Sequence, residues 1–412
     1  MSTLDPEALG ARAYAMISEL ASISAEPTRL VRQFLTPEHR RAADLVASWM
    51  QKAGLAVSED ALGTLRGRFG TSRRRLLIGS HIDTVIDAGK YDGPLGVIAG
   101  ILAAEPFAKA KAKLPFGIDV LAFGDEEGSR FPATMTSSSA CAGVFEPGAL
   151  SAADAKGVTL TAALRAYGKM HLDIPAAAYR PQDAAAYVEV HIEQGPVLEA
   201  RGEPLGVVTG IVGQTRLRVT VTGEAGHAGT VPMALRHDAF AGAAEMTLAL
   251  ERIAREHPED GMVGTVGRIE AMPGADNNVP GRVVFTVDLR SLTDELRTAA
   301  VERFTADVQA VAQARGLKAT VEPFHQVATA HCAPQLQDAL AASVTELGHN
   351  AIRLPSGAGH DAQIMSRLCP AAMLFVRCRG GISHNPAEFA SVSDMGLAIA
   401  ALTRFIEKFQ PG

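Results

Sequence analysis

The chain has 412 residues, 47% of them hydrophobic and 20% charged, with a formal charge of −6. That length predicts two domains or one large elaborated one. The acidic balance argues against nucleic acid or an anionic membrane as partner, since both take a basic face, and no apolar run reaches the roughly eighteen residues of a membrane span.

In chain order, "MSTLDPEALGARAYAMISEL" reads as an acidic helix without the basic and apolar regions of a signal peptide. "TPEHRRAADLVASWMQKAGL" predicts a capped helix, with Thr36 at the N-cap, Pro37 at the first helical position and Gly54 after the last turn. "LLIG" (76–79) and "FGIDVLAFG" (116–124) are short apolar runs ending at Gly, as buried strands of a parallel sheet do. The helical "GVIAGILAAEPFAKA" between them completes a βαβ rhythm. "AYVEVHIEQGPVLEA" (186–200) repeats the theme, and so does "AAMLFVR" (371–377) before a final helix from Ser393.

The middle changes pattern. "TRLRVTVTG", "GMVGTVGRIEA", "GRVVFTVDLRS" and "KATVEPFH" read as strands. "ALRHDAFAGAAEMTLALERIARE" and "DELRTAAVERFTADVQAVAQARG" read as helices. The order β-α-β-β-α-β is the split-βαβ, ferredoxin-like arrangement. The expectation is an α/β domain over residues 1–210 and 327–412 with a second domain, 211–326, inserted into it. Cys141, Cys332, Cys369 and Cys378 form no C-x-x-C pair, so free buried thiols in a reducing cytoplasm are expected.

Four stretches carry chemistry. "GSHIDTVIDAGKYDG" places His81 just beyond an apolar strand, at the carboxyl end of a parallel sheet, where open α/β folds place their sites. His81 is a ligand by type, and Asp83 suits an acceptor that holds the ring. Asp92 opens a tight turn, and Asp87 reads as a solvated turn residue. "FGDEEGSRF" sets Asp125, Glu126 and Glu127 at another strand end. Adjacent like charges repel there unless solvent or a cation relieves them. Either the loop is simply solvated, or one carboxylate holds a metal while its neighbour serves as general base. "VEVHIEQG" and "GISHNPAEF" bring His191 and His384 to two further strand ends. Each histidine alone reads as structural. Together, four strand ends deliver oxygen or nitrogen ligands to one place. Two histidines with two or three carboxylates suit zinc, manganese or cobalt. With a bridging carboxylate they suit two ions about 3.5–4 Å apart.

Taken as a set, "GSHIDT…YDG", "GDEEGSRF", "HIEQG", "GHAGT.PM", "N.VPG…DLR" and "GAGHDA…ISHNP" resemble metallopeptidase family M20. The resemblance is closer to its hydantoinase/carbamoylase-type amidase branch of allantoate amidohydrolases, N-carbamoyl-L-amino-acid hydrolases, β-ureidopropionases and ureidoglycolate amidohydrolases. It runs in order from about residue 75 to 390. It implies a phosphorylase/hydrolase-like zinc-peptidase catalytic domain with a ferredoxin-like lid and dimerisation insert. It implies two divalent ions per subunit, one on His81, Asp92 and His191, the other on Asp92, Glu127 and His384. Glu126 would be the general base and Asp83 the partner of His81. Dipeptidases and aminoacylases of the same fold are the more distant alternative.

The same resemblance implies that His227, in the Gly-rich "GEAGHAGT", helps polarise the scissile carbonyl, and that Arg290 clamps a substrate carboxylate. Asn277 and Gln194 match substrate contacts. Arg216, in "IVGQTRLRV", leans toward allantoate among the small ureido-carboxylate substrates. Gly359, in "SGAGHDAQ", belongs to an expected carboxylate nest of backbone N–H groups before a helix. A cytoplasmic homodimer joined through the insert is the implied assembly.

Overall fold

The computed structural model describes residues 4–411, and its contacts divide the chain into two units. One holds the residues up to Thr209 together with those from His331 on, and the other is Gly210–Ala330. Residues 1–3 and 412, at the ends of the expected first and last segments, lie outside the described part.

The first unit is built on a nine-stranded sheet. Its centre is a parallel block of four neighbours: Gly117–Phe123, Arg75–His81, Ala184–Ile192 and Ala371–Val376. The first three of these are buried along their whole length, and so is the fourth, which is why they read as continuous apolar runs. The sheet is not parallel throughout, as the βαβ rhythm alone would have it. Leu65–Phe69 runs antiparallel to Gly117–Phe123 on one side, and Leu205–Ile211 antiparallel to Ala371–Val376 on the other.

Helices cover this sheet. Pro37–Lys52 starts where Thr36 accepts the His39 N–H at 3.2 Å, and it buries Ala43, Val46, Trp49 and Met50. Pro94–Lys109 is apolar on nearly every side and lies against the strands. A Cβ at Gly96 would stand 2.2 Å from the Val190 carbonyl oxygen, so only glycine lets the helix sit this close. The last helix, Val392–Lys408, is capped by Ser391 and packs against Pro6–Ala21 and Pro94–Lys109. Each fully buried Leu or Ile in this core is worth about 1.5–3 kcal/mol.

The second unit is a four-stranded antiparallel sheet with two helices on one face. In spatial order its strands are Lys318–Val327, Gly213–Thr222, Arg282–Ser291 and Val263–Met272. Counted along the chain that order is 4-1-3-2, with helices Ala239–Ala254 and Asp294–Ala314 as the crossovers. Val219, Val283, Phe285 and Leu289 face these helices and are buried. The first of these helices begins later than "ALRHDAFAG…" suggests. Asp238 accepts the Phe240 and Ala241 N–H groups and starts the helix at Ala239, leaving Met233–Leu235 as a separate 3-10 turn.

The four cysteines are free and buried. No helix among the described residues is long and apolar enough to cross a membrane.

Candidate functional site

The four parallel strands are immediate neighbours, so the segments after their carboxyl ends lie side by side. His81 ends one strand, Asp125–Glu127 follow the second, His191 is near the end of the third, and His384 comes after the fourth. Asp92 reaches the same place from the turn into helix Pro94–Lys109. That turn needs Gly93: its φ is +80°, and a Cβ there would lie 2.4 Å from the His81 ring.

Asp92 faces two groups of side chains. Its Oδ1 lies 3.5 Å from His81 Nε2 and 3.1 Å from His191 Nε2. Its Oδ2 lies 3.5 Å from His384 Nε2, which is itself 3.3 Å from Glu127 Oε2. His81, His191 and Asp92 are buried, whereas the His384 side chain is half exposed.

The donor chemistry fits divalent cations. His191 Nδ1 lies 2.9 Å from the Ile192 carbonyl oxygen, and His81 Nδ1 lies 3.2 Å from the Asp83 carbonyl oxygen and 3.3 Å from Asp83 Oδ1. Those acceptors place each ring proton on Nδ1 and leave the Nε2 lone pair turned to Asp92. Both Nε2 atoms are buried and make no hydrogen bond of acceptable geometry. Two imidazole lone pairs converging on a carboxylate form a cation-binding set.

Electrostatics lead to the same chemistry. Burial pushes the Glu126 carboxyl well above the usual range, with the Glu127, Asp361 and Asp92 charges adding to it and His81 opposing. Burial also raises Glu127, and neighbouring Asp92 raises it further. Asp92 goes the other way: burial opposes its ionisation, but whenever the His191 and His81 rings take up a second proton, their charge and contacts hold it well below the usual value. A site this rich in buried carboxylates is balanced by added positive charge.

The three adjacent acids divide their work. Asp125 is 3% exposed and accepts from the Thr136 and Ser137 backbone N–H groups and hydroxyls, so it caps a short helix instead of facing the site. Glu126 Oε2 comes within 3.9 Å of His81 Nε2. Asp83 holds more than the His81 ring, since it also accepts the Glu126 and Glu127 N–H groups at 3.2 and 3.3 Å. Asp87 stands apart in a turn with φ +62°.

The expected substrate residues fall into three places. Gln194 is in the first unit, and its amide donates to Asp92 Oδ2 at 2.7 Å; its side chain is a partner of the candidate metal ligand. Gly359 is exposed beside His360. In the expected nest, the Ala362 N–H at the start of helix Asp361–Met365 is taken by the chain's own Glu189 at 2.9 Å. The others lie in the second unit. His227 and Asn277 are both exposed on a two-stranded ribbon, where His227 pairs with Asn278 and the Asn277 carbonyl accepts the Ala228 N–H. Arg290 and Arg216 share the open sheet face with Asp288. Arg290 grips that carboxylate with Nε and Nη2, both at 3.0 Å, and Arg216 Nε lies at 3.3 Å.

Sequence reasoning missed Ser383 and Glu388, though both stand within or beside "GISHNPAEF". Ser383 Oγ donates to Asp92 Oδ2 at 2.6 Å, and Glu388 accepts the Asp92 N–H at 3.1 Å. It also missed Glu189, which forms a buried trio with His191 and with His360, a residue expected only as structural support near the site. There His360 packs edge-on against His191, with ring centroids 4.5 Å apart, and its Nε2 meets Ser356 Oγ at 2.8 Å.

Comparison with known proteins decides the family. The model of peptidase family M20/M25/M40 matches residues 77–408. The chain belongs to that family. It is 42% identical to an allantoate deiminase of Arabidopsis thaliana over 96% of this chain and 81% of the relative. It is 39% identical to an N-carbamoyl-L-amino acid amidohydrolase of Geobacillus stearothermophilus over 98% of this chain and 99% of the relative. Among solved structures, a hydantoinase/carbamoylase family amidase from Burkholderia multivorans superimposes with a TM-score of 0.90 at 32% identity, covering 96% of this chain and 97% of that one. Within the M20/M25/M40 peptidases the chain therefore sits with the amidases, enzymes that hydrolyse carbon–nitrogen bonds.

Proposed function

We propose that this protein is a metal-dependent amidohydrolase that cleaves the ureido C–N bond of a small carboxylate, allantoate first among them, and releases ammonia and carbon dioxide. The observation that carries the reading is Asp92, whose two oxygens face His81 and His191 on one side and His384 on the other, with Glu127 completing the second group and Glu126 beside them. His81, Asp92 and His191 would hold one divalent ion, and Asp92, Glu127 and His384 another. Zinc suits this set of nitrogen and carboxylate donors, and manganese or cobalt is the alternative.

When bound, such ions acidify a water and polarise the scissile carbonyl. The chain's own residues do the rest. Glu126 takes a proton from the attacking water and returns it to the leaving nitrogen, a role suited to a carboxyl whose pKa burial has raised. His227 steadies the developing negative charge on the carbonyl oxygen. Arg290, Asn277 and Gln194 hold the substrate carboxylate, with Arg216 and backbone N–H groups near Gly359 as further contacts. The net change adds one water to the ureido group, frees ammonia and carbon dioxide, and leaves an amine on the acid.

N-carbamoyl-L-amino acids are the second reading, favoured by the end-to-end match to the Geobacillus relative. The deciding experiment is ammonia release from allantoate, N-carbamoyl-L-amino acids and 3-ureidopropionate, with dipeptides as controls, on protein reconstituted separately with zinc, manganese and cobalt. Cleavage of dipeptides alone would remove the reading.

A homodimer through the second unit is part of the proposal. Helix Ala239–Ala254 exposes Phe240 and Leu248, and the edge strand Val263–Met272 exposes Val263 and Ile269. An apolar helix stripe next to an unpaired strand edge is what a self-complementary interface uses. A solution mass of twice 43.2 kDa is the expected measurement. The four buried free thiols support a reducing compartment such as the cytoplasm.

A further inference from the structure

We propose that Glu388 is the residue that positions Asp92, and through it both groups of candidate ligands; this rests on the reading of the site given above. Glu388 is 4% exposed and lies four residues beyond His384. Its Oε1 accepts two backbone N–H groups from the opposite end of the unit's sequence, Tyr91 at 2.8 Å and Asp92 at 3.1 Å. Its Oε2 lies 3.2 Å from Ser383 Oγ, and that hydroxyl donates to Asp92 Oδ2 at 2.6 Å. Asp92 is thus held twice by one short segment, through its backbone by Glu388 and through its side chain by Ser383.

The same segment carries His384, whose Nε2 faces Asp92 Oδ2. Two ligands of the second group, Asp92 and His384, are therefore braced against each other across nearly 300 residues of chain, the Asp92–Glu388 separation being 296. The loop before Asp92 is moulded to this arrangement. A Cβ on Gly89 would fall 2.2 Å from the Glu388 carboxyl carbon, so any larger residue there displaces the carboxylate. Nothing else about Gly89 demands glycine, since its φ is not positive.

A buried carboxylate stays in place when its hydrogen bonds are made, and backbone N–H groups without an acceptor are costly. Glu388 meets both needs at once. A ligand shared by two ions must be held to about half an ångström, and partners of metal ligands commonly carry 10–100-fold in metal affinity. Glu388 touches neither candidate group of ligands except through Asp92 and Ser383, so it is a positioning residue and not a catalytic one.

The test uses the full-length protein, stripped with a chelator and titrated with Co²⁺ alone, with the melting temperature of the stripped protein measured in parallel. Glu388→Ala is expected to weaken Co²⁺ binding about 10–100-fold. Glu388→Gln keeps an acceptor oxygen for the two N–H groups and is expected to recover most of that loss. Gly89→Ala, which keeps Glu388 but takes its space, should resemble Glu388→Ala. A merely structural role would lower the melting temperature and leave the Co²⁺ dissociation constant of the folded protein unchanged, and that result overturns the proposal. So does a Gln variant as impaired as the Ala variant. Should Glu388→Ala not fold, Ser383→Ala removes the hydroxyl link with little change in volume, and unchanged Co²⁺ affinity there overturns the proposal equally. A wild-type protein that takes up no Co²⁺ fails the reading of the site itself, a distinguishable outcome.

Discussion

Asp83 and Glu126 are joined by a hydrogen bond from the Glu126 backbone to the Asp83 carboxylate, and the same carboxylate faces His81 Nδ1. One acid thus aligns a candidate ligand and the candidate proton carrier. Asp83→Ala removes the carboxylate from both, leaving His81 only the Asp83 backbone carbonyl, and should lower kcat/KM by about 10–100-fold. Glu126→Gln keeps this backbone contact and removes only the proton carrier. It should lower kcat by about 10²–10⁴-fold while Co²⁺ binding stays within a few-fold of wild type. Steady-state kinetics and metal titration on the two variants check both statements. Unchanged turnover in Glu126→Gln would mean that another group carries the proton.

The two aspartates of the loop after His81 are expected to separate cleanly. Asp92→Asn converts a carboxylate facing three histidines into a neutral amide, and activity should be abolished together with the uptake of both ions. Asp87 has φ +62°, a conformation asparagine adopts as readily as aspartate. Asp87→Asn should keep activity within about twofold and unfold at the same temperature. Equal losses in the two variants would refute the division.

On the second unit, Asp288 is the anchor of Arg290. Burial opposes its ionisation, but hydrogen bonds from Arg290 and Gln214 and the nearby arginine charges hold its pKa below the usual value. Arg290→Lys keeps the charge and loses the planar fork, so KM should rise about 10–100-fold with kcat little changed. Asp288→Asn keeps an acceptor oxygen but frees the guanidinium to move, and KM should rise by less. A fall in kcat at constant KM in Arg290→Lys would argue against a carboxylate clamp.

His39 predicts part of the acid sensitivity. Burial, and then the charges of Arg32, Arg40 and Arg130, push its pKa down to about 3. In the unfolded chain it titrates near 6.5, so below about pH 6.5 the unfolded state binds a proton that the folded state refuses. Stability is therefore lost as pH falls from that point toward 3, by about 2 kcal/mol at pH 5. Urea unfolding at pH 8 and pH 5 should show the wild type losing about that much more than His39→Gln. Parallel losses would assign the acid sensitivity to other groups.

Much of the fold is readable locally. Thr36, Pro37 and the runs at 76–79 and 371–377 carry their signals within a few residues, because capping and burial act at that range. The alternation in "RVVFTVDLR" likewise puts Asp288 and Arg290 on one strand face, where they meet. The outer antiparallel strands are less visible, since pairing direction is settled by what lies next door. The start of the helix at Ala239 went astray because an apolar run before Asp238 mimics a helical turn. Gln194 reads as a substrate contact, and nothing near it in sequence says that its amide also reaches Asp92, 102 residues earlier. Glu388 is hidden for the same reason: nothing near it in sequence says that it closes on the backbone of Tyr91 and Asp92.

The parallel block gathers its ligands from four strand ends, and the last of them, His384, comes after the second unit has been made. On a growing chain the three residues of the first group are all present once His191 is available, though Asp92 still lacks its brace, and the second group remains short of a donor until residue 384 has emerged. Contacts of such sequence separation form slowly, because the intervening chain must be closed into a loop first. Synthesis therefore imposes an order on the site. The His81–His191 half precedes the His384 half, and the brace that aligns them is among the last pieces of the protein to exist.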